Sequence, residues 1–292
     1  MGSWLLSYAV VFSQPRILAA GSPRQVAVVN DPMISESSGL AASRSNPGLL
    51  WVHNDSGDTS RLFGLGPDGH VQTIVNVQGA EAVDWEDVCC FHHDGQNWLL
   101  VADVGDNLRQ RGQSQPGCRL YLLREPTLST VAQRTRPQVI SSPVHAVIDL
   151  LYEDGIWDCE SVGVDVERNE ILLVTKSLPQ DSGLYVAPLS TTEKHQHVTA
   201  RRIGGLFMPF ATALDVSGDS RRMAVVSMFN GVLIHRDANE DWAAACLRPP
   251  KVLSMPPRQQ GETVCFSPDG KTLFMNSEFV GQPLWSISLE AE

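Results

Sequence analysis

The stretch ESVGVDVERNEILLVTKSLPQ, residues 160–180, decides the fold. It opens on a carboxylate, passes through small and apolar residues to a turn at Glu167-Arg168-Asn169, and returns as the apolar run Ile171–Val174. Two short apolar runs joined by such a turn, with no helical periodicity, read as an antiparallel hairpin of buried strands. Four more stretches share the plan: SSGLAASRSNPGLLWVHNDSG from Ser37, EDVCCFHHDGQNWLLVADVGD from Glu86, TALDVSGDSRRMAVVSMFNG from Thr212 and ETVCFSPDGKTLFMNSEFVG from Glu262. Each of the five leads into a third strand, in chain order RLFGLG, RLYLLRE, GLYVAPL, GVLIHRD and PLWSISL.

Aligned on Leu40, Val88, Val162, Leu214 and Val264, the repeats are 48, 74, 52 and 50 residues apart. A unit of about four strands recurring every 40 to 50 residues is the mark of a β-propeller. The longest step holds a polar insertion, Leu128 to Gln138, ahead of the outer strand HAVIDLLYE. Insertions of this kind belong on loops between blades; a degenerate sixth blade is the alternative. The last repeat stops one strand short, and RQVAVVN, residues 24–30, stands alone at the other end. It can supply the missing outer strand and close the ring, which removes an exposed edge. The expected fold is therefore all-β, a five-bladed β-propeller in one domain over residues 24–292.

Residues 1–23 read as an N-terminal lead or a weak signal segment. They hold an apolar run from Trp4 to Phe12 but no basic start. Export is slightly favoured over the cytoplasm, and a monomer is expected. The chain of 292 residues carries 22 basic and 33 acidic residues, a net charge of −11. That balance argues against nucleic acid and anionic membrane as partners. No apolar run reaches the 18 residues that a membrane helix needs. The six cysteines show no zinc spacing, and Cys89, Cys90 and Cys265 lie in apolar runs as buried free thiols.

Two positions before each anchor stand Ser38, Glu86, Glu160, Thr212 and Glu262. In a propeller the inner strands line one channel, so these first residues converge on its axis at one end. Three carboxylates and two hydroxyls meeting there would repel strongly if left alone. A hard cation takes oxygen ligands only, and calcium tolerates a loose ring of six to eight of them. The lack of His and Cys disfavours zinc and copper. The plainer alternative is that each acid caps a blade by accepting from backbone amides. Asp84 and Asp87 are expected to support the ring from behind.

The order hydroxyl, Glu, Glu, hydroxyl, Glu resembles that of the calcium-dependent apyrases, the soluble calcium-activated nucleotidases. Those are five-bladed propellers with an axial calcium. The resemblance implies a Ca2+ held by Ser38, Glu86, Glu160, Thr212 and Glu262, with Thr212 departing from that family's serine. VHNDSGDTSRLFGL, residues 52–65, is similar to its aspartate-rich first-blade turn. FSPDGKTLF, residues 266–274, is also similar to WD-type and TolB-type repeats. The combination of HNDSGD, DWED, VGDN and QGE looks like a family of uncharacterised bacterial propellers, which brings no activity with it.

Strand reversal returns the end of each second strand to the face carrying the ring. His53–Asp58, Asp103–Asn107, Lys176-Ser177, Met228–Asn230 and Asn276–Glu278 gather there. A metal beneath a polar rim suggests metal-assisted hydrolysis of a phosphate or other ester. Asp55, Asp103 or Glu278 would act as base, and Lys176 or Arg109 would hold an anion. HNDSGD and VGDN are equally good turn sequences, and that reading stays open. The competing function is a non-catalytic propeller with a structural ion, holding a peptide, glycan or partner protein. In either case the ligand enters at this mouth.

Overall fold

The computed structural model describes residues 18–111, 117–129, 136–206 and 208–291. The lead at 1–17 and the middle of the insertion lie outside the described residues. The chain opens with β1 (Leu18–Ala20) and β2 (Arg24–Val29). Blade 1 is β3 (Ser37–Ala42), β4 (Leu50–Asn54), β5 (Arg61–Leu65) and β6 (Val71–Gln78). Blade 2 begins with β7 (Trp85–His93), β8 (Gln96–Asp103) and β9 (Cys118–Arg124). The insertion follows as β10 (Gln138–Pro143), and β11 (Ala146–Tyr152) then completes blade 2. Blade 3 is β12 (Cys159–Asp165), β13 (Glu170–Thr175), β14 (Gly183–Pro188) and β15 (His195–Gly205). Blade 4 is β16 (Ala211–Val216), β17 (Arg222–Ser227), β18 (Gly231–His235) and β19 (Lys251–Val252), with the one-turn helix α1 (Trp242–Ala245) before its outer strand. Blade 5 is β20 (Cys265–Phe266), β21 (Thr272–Met275) and β22 (Gln282–Ala291).

Within each blade successive strands pair antiparallel. β2 pairs antiparallel with β22 and supplies the outer strand that the last repeat lacks. The insertion does not add a meander among the described residues. Its end, β10, runs parallel to β6 as a fifth strand on blade 1. β15 similarly runs on in parallel beside β11 and ties blades 2 and 3 at the perimeter.

The inner strands touch in the cyclic order β3, β7, β12, β16, β20 and back to β3. Apolar packing follows the same cycle, with one cluster between each adjacent pair of blades. β13 shows why its sequence is continuous rather than alternating. Ile171 and Leu173 pack toward blade 2, while Leu172 and Val174 pack toward blade 4. A strand covered on both faces needs apolar residues at every position. At the outer end of blade 2, Asp94 and Gly95 have φ of 49° and 73° and form the two-residue link between β7 and β8. Left-handed conformations at both positions are what a primed hairpin turn requires.

Two inner-strand carboxylates cross-link the blades inside the channel. Asp87 accepts from the amides of Val88 at 2.9 Å, Val162 at 2.9 Å and Leu214 at 3.3 Å, so one side chain joins blades 2, 3 and 4. Asp215 accepts from Val216 at 2.8 Å and from Phe266 on blade 5 at 2.7 Å. The expected supporting role of Asp87 behind the ring is therefore corrected. Its carboxylate is committed to backbone amides, because neighbouring strand residues point to opposite sides. All six cysteines are free, and Cys89, Cys90 and Cys265 are buried as expected.

Candidate metal centre at the channel mouth

Four of the five inner strands break register in their first turn. The shifts fall between Ser37 and Leu40, Trp85 and Asp87, Cys159 and Ser161, and Ala211 and Ala213. The residues inside those bulges include Ser38, Glu86, Glu160 and Thr212. A bulged residue leaves the ladder and its side chain is re-aimed. In blade 5 Glu262 precedes β20, beside the isolated Gly261–Ser277 bridge.

These residues meet. Ser38 Oγ donates to the carbonyl of Glu86 at 2.9 Å and lies 3.3 Å from its Oε2. Glu86 and Glu160 repel one another, as do Glu160 and Glu262. Thr212 Oγ1 donates to the carbonyl of Gly261 at 3.0 Å, which fixes blade 4 to blade 5. All five are buried.

Lys176 stands in the same cluster. Its Nζ pairs with Glu160 Oε1, and Glu86 and Glu262 help hold it charged. It is thus a counter-ion to the ring and is not free to grip an anion. Arg111 is likewise bound to Asp103, at 2.9 Å. Arg109 lies over the Trp157 ring at 5.0 Å.

The charge left over falls on the side of blades 1 and 2. Oxygens of Asp55, Asp84 and Glu86 all lie within 4.8 Å of one another. Burial, then Asp55, pushes Asp84 up to about 6. Burial, then Glu160, raises Glu86 well above the usual carboxylate range. Burial raises Glu160 to about 8 even against its ion pair with Lys176. Glu278 is pushed up to about 8 by burial and by its hydrogen bond to Glu262. Burial also raises Asp103, with Arg111 opposing.

The aspartate-rich turns divide by what each carboxylate touches. Asp58 accepts from Asn54 at 2.8 Å and from the Thr59 amide at 2.7 Å. Asp106 accepts from the amides of Gln110 at 2.7 Å and Arg111 at 2.9 Å. Both serve their own turns. Asp55 receives only the amide of Ser56 among described partners. Asp103 Oδ1 receives the amide of Asp84 at 2.9 Å and so positions Asp84.

A pattern of two-residue spacing went unread in the sequence. Glu36, Asp84 and Asp158 stand two positions before Ser38, Glu86 and Glu160, and Asp84 feels the charge of Asp158. Asp158 is buried and accepts from the Asp106 amide at 2.9 Å.

The donor set suits a hard divalent cation: carboxylates with a hydroxyl beside them, and no thiol. Oε2 of Glu160 and Oδ2 of Asp103 are buried without a hydrogen-bond partner among the described residues. Buried polar atoms in native proteins are nearly always paired, and orphans call for an explanation. Gly105 leaves the room that such a site needs. A Cβ there would lie 2.3 Å from Glu86 Oε1 and 2.4 Å from Asp84 Oδ2.

No protein family matches the chain, and no curated protein matches it. Its likenesses are to solved propellers. The PQQ-bound aldose sugar dehydrogenase of Streptomyces coelicolor superposes with a TM-score of 0.50 at 9% identity, over 94% of this chain and 99% of that one. A gluconolactonase from Xanthomonas campestris gives 0.46 at 13%, covering 96% and 99%. A WD40 domain from Neurospora crassa gives 0.46 at 10%, covering 94% and 100%. At 9% identity the first of these carries the fold and no activity. The chain is a β-propeller. The apyrase-like order of ring residues rests on those residues alone. No helix among the described residues is long and apolar enough to cross a membrane.

Proposed function

We propose that this propeller is a divalent-cation-dependent hydrolase, with calcium as the ion, acting at the channel mouth on an uncharged or positively charged carboxylic ester or lactone. The observation that carries this reading is the approach of Asp55, Asp84 and Glu86 oxygens within 4.8 Å. The residues that would hold the ion stand on the side of blades 1 and 2, since Lys176 already neutralises Glu160. Ser38, whose hydroxyl lies 3.3 Å from Glu86 Oε2, would add a neutral donor. When bound, the ion polarises a carbonyl or makes a water acidic.

The chain's own residues supply the rest. Glu278, raised to about 8, is largely protonated at neutral pH and donates to the leaving oxygen. Asp103 positions the main chain of Asp84. Phosphate esters fit poorly, because Lys176 and Arg111 are both paired with carboxylates and the mouth is acidic.

Hydrolysis of nitrophenyl acetate, a six-membered lactone and nitrophenyl phosphate tests the proposal. Turnover of an ester or the lactone in calcium is expected, lost in EGTA and reduced on the order of 100-fold by Glu278→Gln. The phosphate should stay inert. Calcium binding without turnover of any carboxylic ester would leave the protein a binding propeller with a structural ion.

A further inference from the structure

The mouth face carries exposed apolar side chains beside its polar groups. Of twelve large apolar side chains that stand exposed, seven lie on loops of this one face. None lies on a hairpin joining the first and second strands of a blade at the other face. Val83 and Leu108 represent blade 2, Leu178 blade 3, Phe229 blade 4 and Phe279 blade 5, with Phe210 at the entry to β16. Leu108 is 77% exposed and Phe229 72%. Exposed apolar side chains gathered on one face of a protein mark a place where something binds.

Backbone strain adds a second observation. Phe210 and Phe279 have φ of 50° and 77°, the left-handed region where a bulky side chain is out of place. The amide of Phe210 donates to Ser177 O at 2.9 Å, and that of Phe279 to Ser35 O at 2.8 Å, so contacts with the adjoining blade hold both. Glycine would adopt these angles freely. An exposed aromatic kept at such a position displays its ring against backbone strain, a pattern found at binding sites.

Acid stands beside these apolar loops. Glu278 adjoins Phe279 in sequence, shares a hydrogen bond with Glu262 and feels the charge of Glu36. No salt bridge to Glu36 or Glu278 is found among the described residues, whereas Glu160 and Asp103 already have Lys176 and Arg111.

We propose that the mouth face docks a partner polypeptide, which lays apolar side chains on the loops from Leu108 to Phe279 and sets a lysine or arginine against Glu36. Charge complementarity selects this occupant. An uncompensated carboxylate beside apolar loops matches a basic residue flanked by apolar ones, and it repels an anionic surface. The anchor lies at the entry to blade 1, at a carboxylate other than the three that would hold the ion, so docking does not depend on the cation.

The probe is a fluorescein-labelled synthetic peptide of alternating Leu and Arg with one Phe, followed by anisotropy in EGTA. Saturable binding is expected, weakened about tenfold or more by Phe229→Ser and by Glu36→Gln, and weakened by added salt. Phe210→Gly should also bind less well while melting no lower than wild type, which a merely structural phenylalanine would not allow. Equal binding of a peptide with Glu in place of Arg, indifference to the rim substitutions, or no binding at all would overturn the proposal. Uptake on phosphatidylcholine vesicles in place of the peptide would also overturn it. Because the assay runs without divalent cation, its failure is separable from failure of the hydrolase reading.

Discussion

Glu86→Gln should bind calcium on the order of 100-fold more weakly than wild type and, in EGTA at pH 8, melt higher. Removing a supporting group behind a metal ligand typically costs 10–100-fold in affinity, so losing a direct carboxylate reaches at least the upper end. The stability change has the opposite sign for a definite reason. Glu86 is buried beside Glu160, Asp55 and Asp84, and its folded pKa is raised. A carboxylate raised on folding contributes stability that is full below its unfolded pKa and is lost as pH rises through its folded value. Above neutral pH the ring is therefore a liability, shared by Asp84 near 6 and by Glu160 and Glu278 near 8. Gln keeps the shape and removes the charge, and the cation-free protein should gain roughly 3 °C. Calorimetric titration and a thermal melt read the two effects. A lower melting temperature with unchanged calcium affinity would mean that Glu86 is an ordinary blade cap.

Gly39→Ala should be the most damaging small change in the molecule's interior. A Cβ at Gly39 would lie 2.2 Å from His53 Nε2 and 2.7 Å from the backbone nitrogen of Val88. The imidazole cannot easily yield, because it is buried, its Nδ1 lies 2.9 Å from Asn54 O, and its ring meets Trp85 edge-on at 5.6 Å. Moving Val88 would instead spread blades 1 and 2 at their inner strands. Overpacking of this kind costs about 3 kcal/mol, or about 5 °C in melting temperature for a chain of this size. Chemical denaturation measures it. A loss under about 1 kcal/mol would show that the blade interface is slack there.

Much of the architecture was legible because it rests on repetition. The anchors Leu40, Val88, Val162, Leu214 and Val264 all fall on or beside inner strands and are buried. The five runs read as third strands are β5, β9, β14, β18 and β22, and RQVAVVN holds β2, the closing strand. β10 was not legible. A parallel strand added to the outside of blade 1 has no repeat partner, and its register comes from β6 far back in the chain.

At the site, the meeting of Ser38, Glu86, Glu160 and Glu262 at one end of the channel followed from topology alone. What single positions do there did not follow. Glu86 and Asp87 are adjacent acids, yet one faces the mouth and the other accepts three amides across the channel. Lys176 read as an anion holder because its partner, Glu160, lies on the neighbouring strand and not beside it in sequence. Asp55 and Asp58 share one turn motif, and only the hydrogen bonds separate the carboxylate spent on the turn from the one left facing Asp84 and Glu86.

Calcium titration of chelator-stripped protein by calorimetry, at pH 8 and again at pH 6, tests the centre of this account. One site should appear at pH 8, with a dissociation constant on the order of 10⁻⁵ M or tighter. At pH 6 the affinity should fall at least about tenfold, since protons compete for Asp84 and Glu86, both titrating above the ordinary carboxylate range. Asp84→Asn should lower it at both. Absence of binding heat at either pH, or a site that ignores both the acid and the Asp84 substitution, would contradict a cation held between blades 1 and 2.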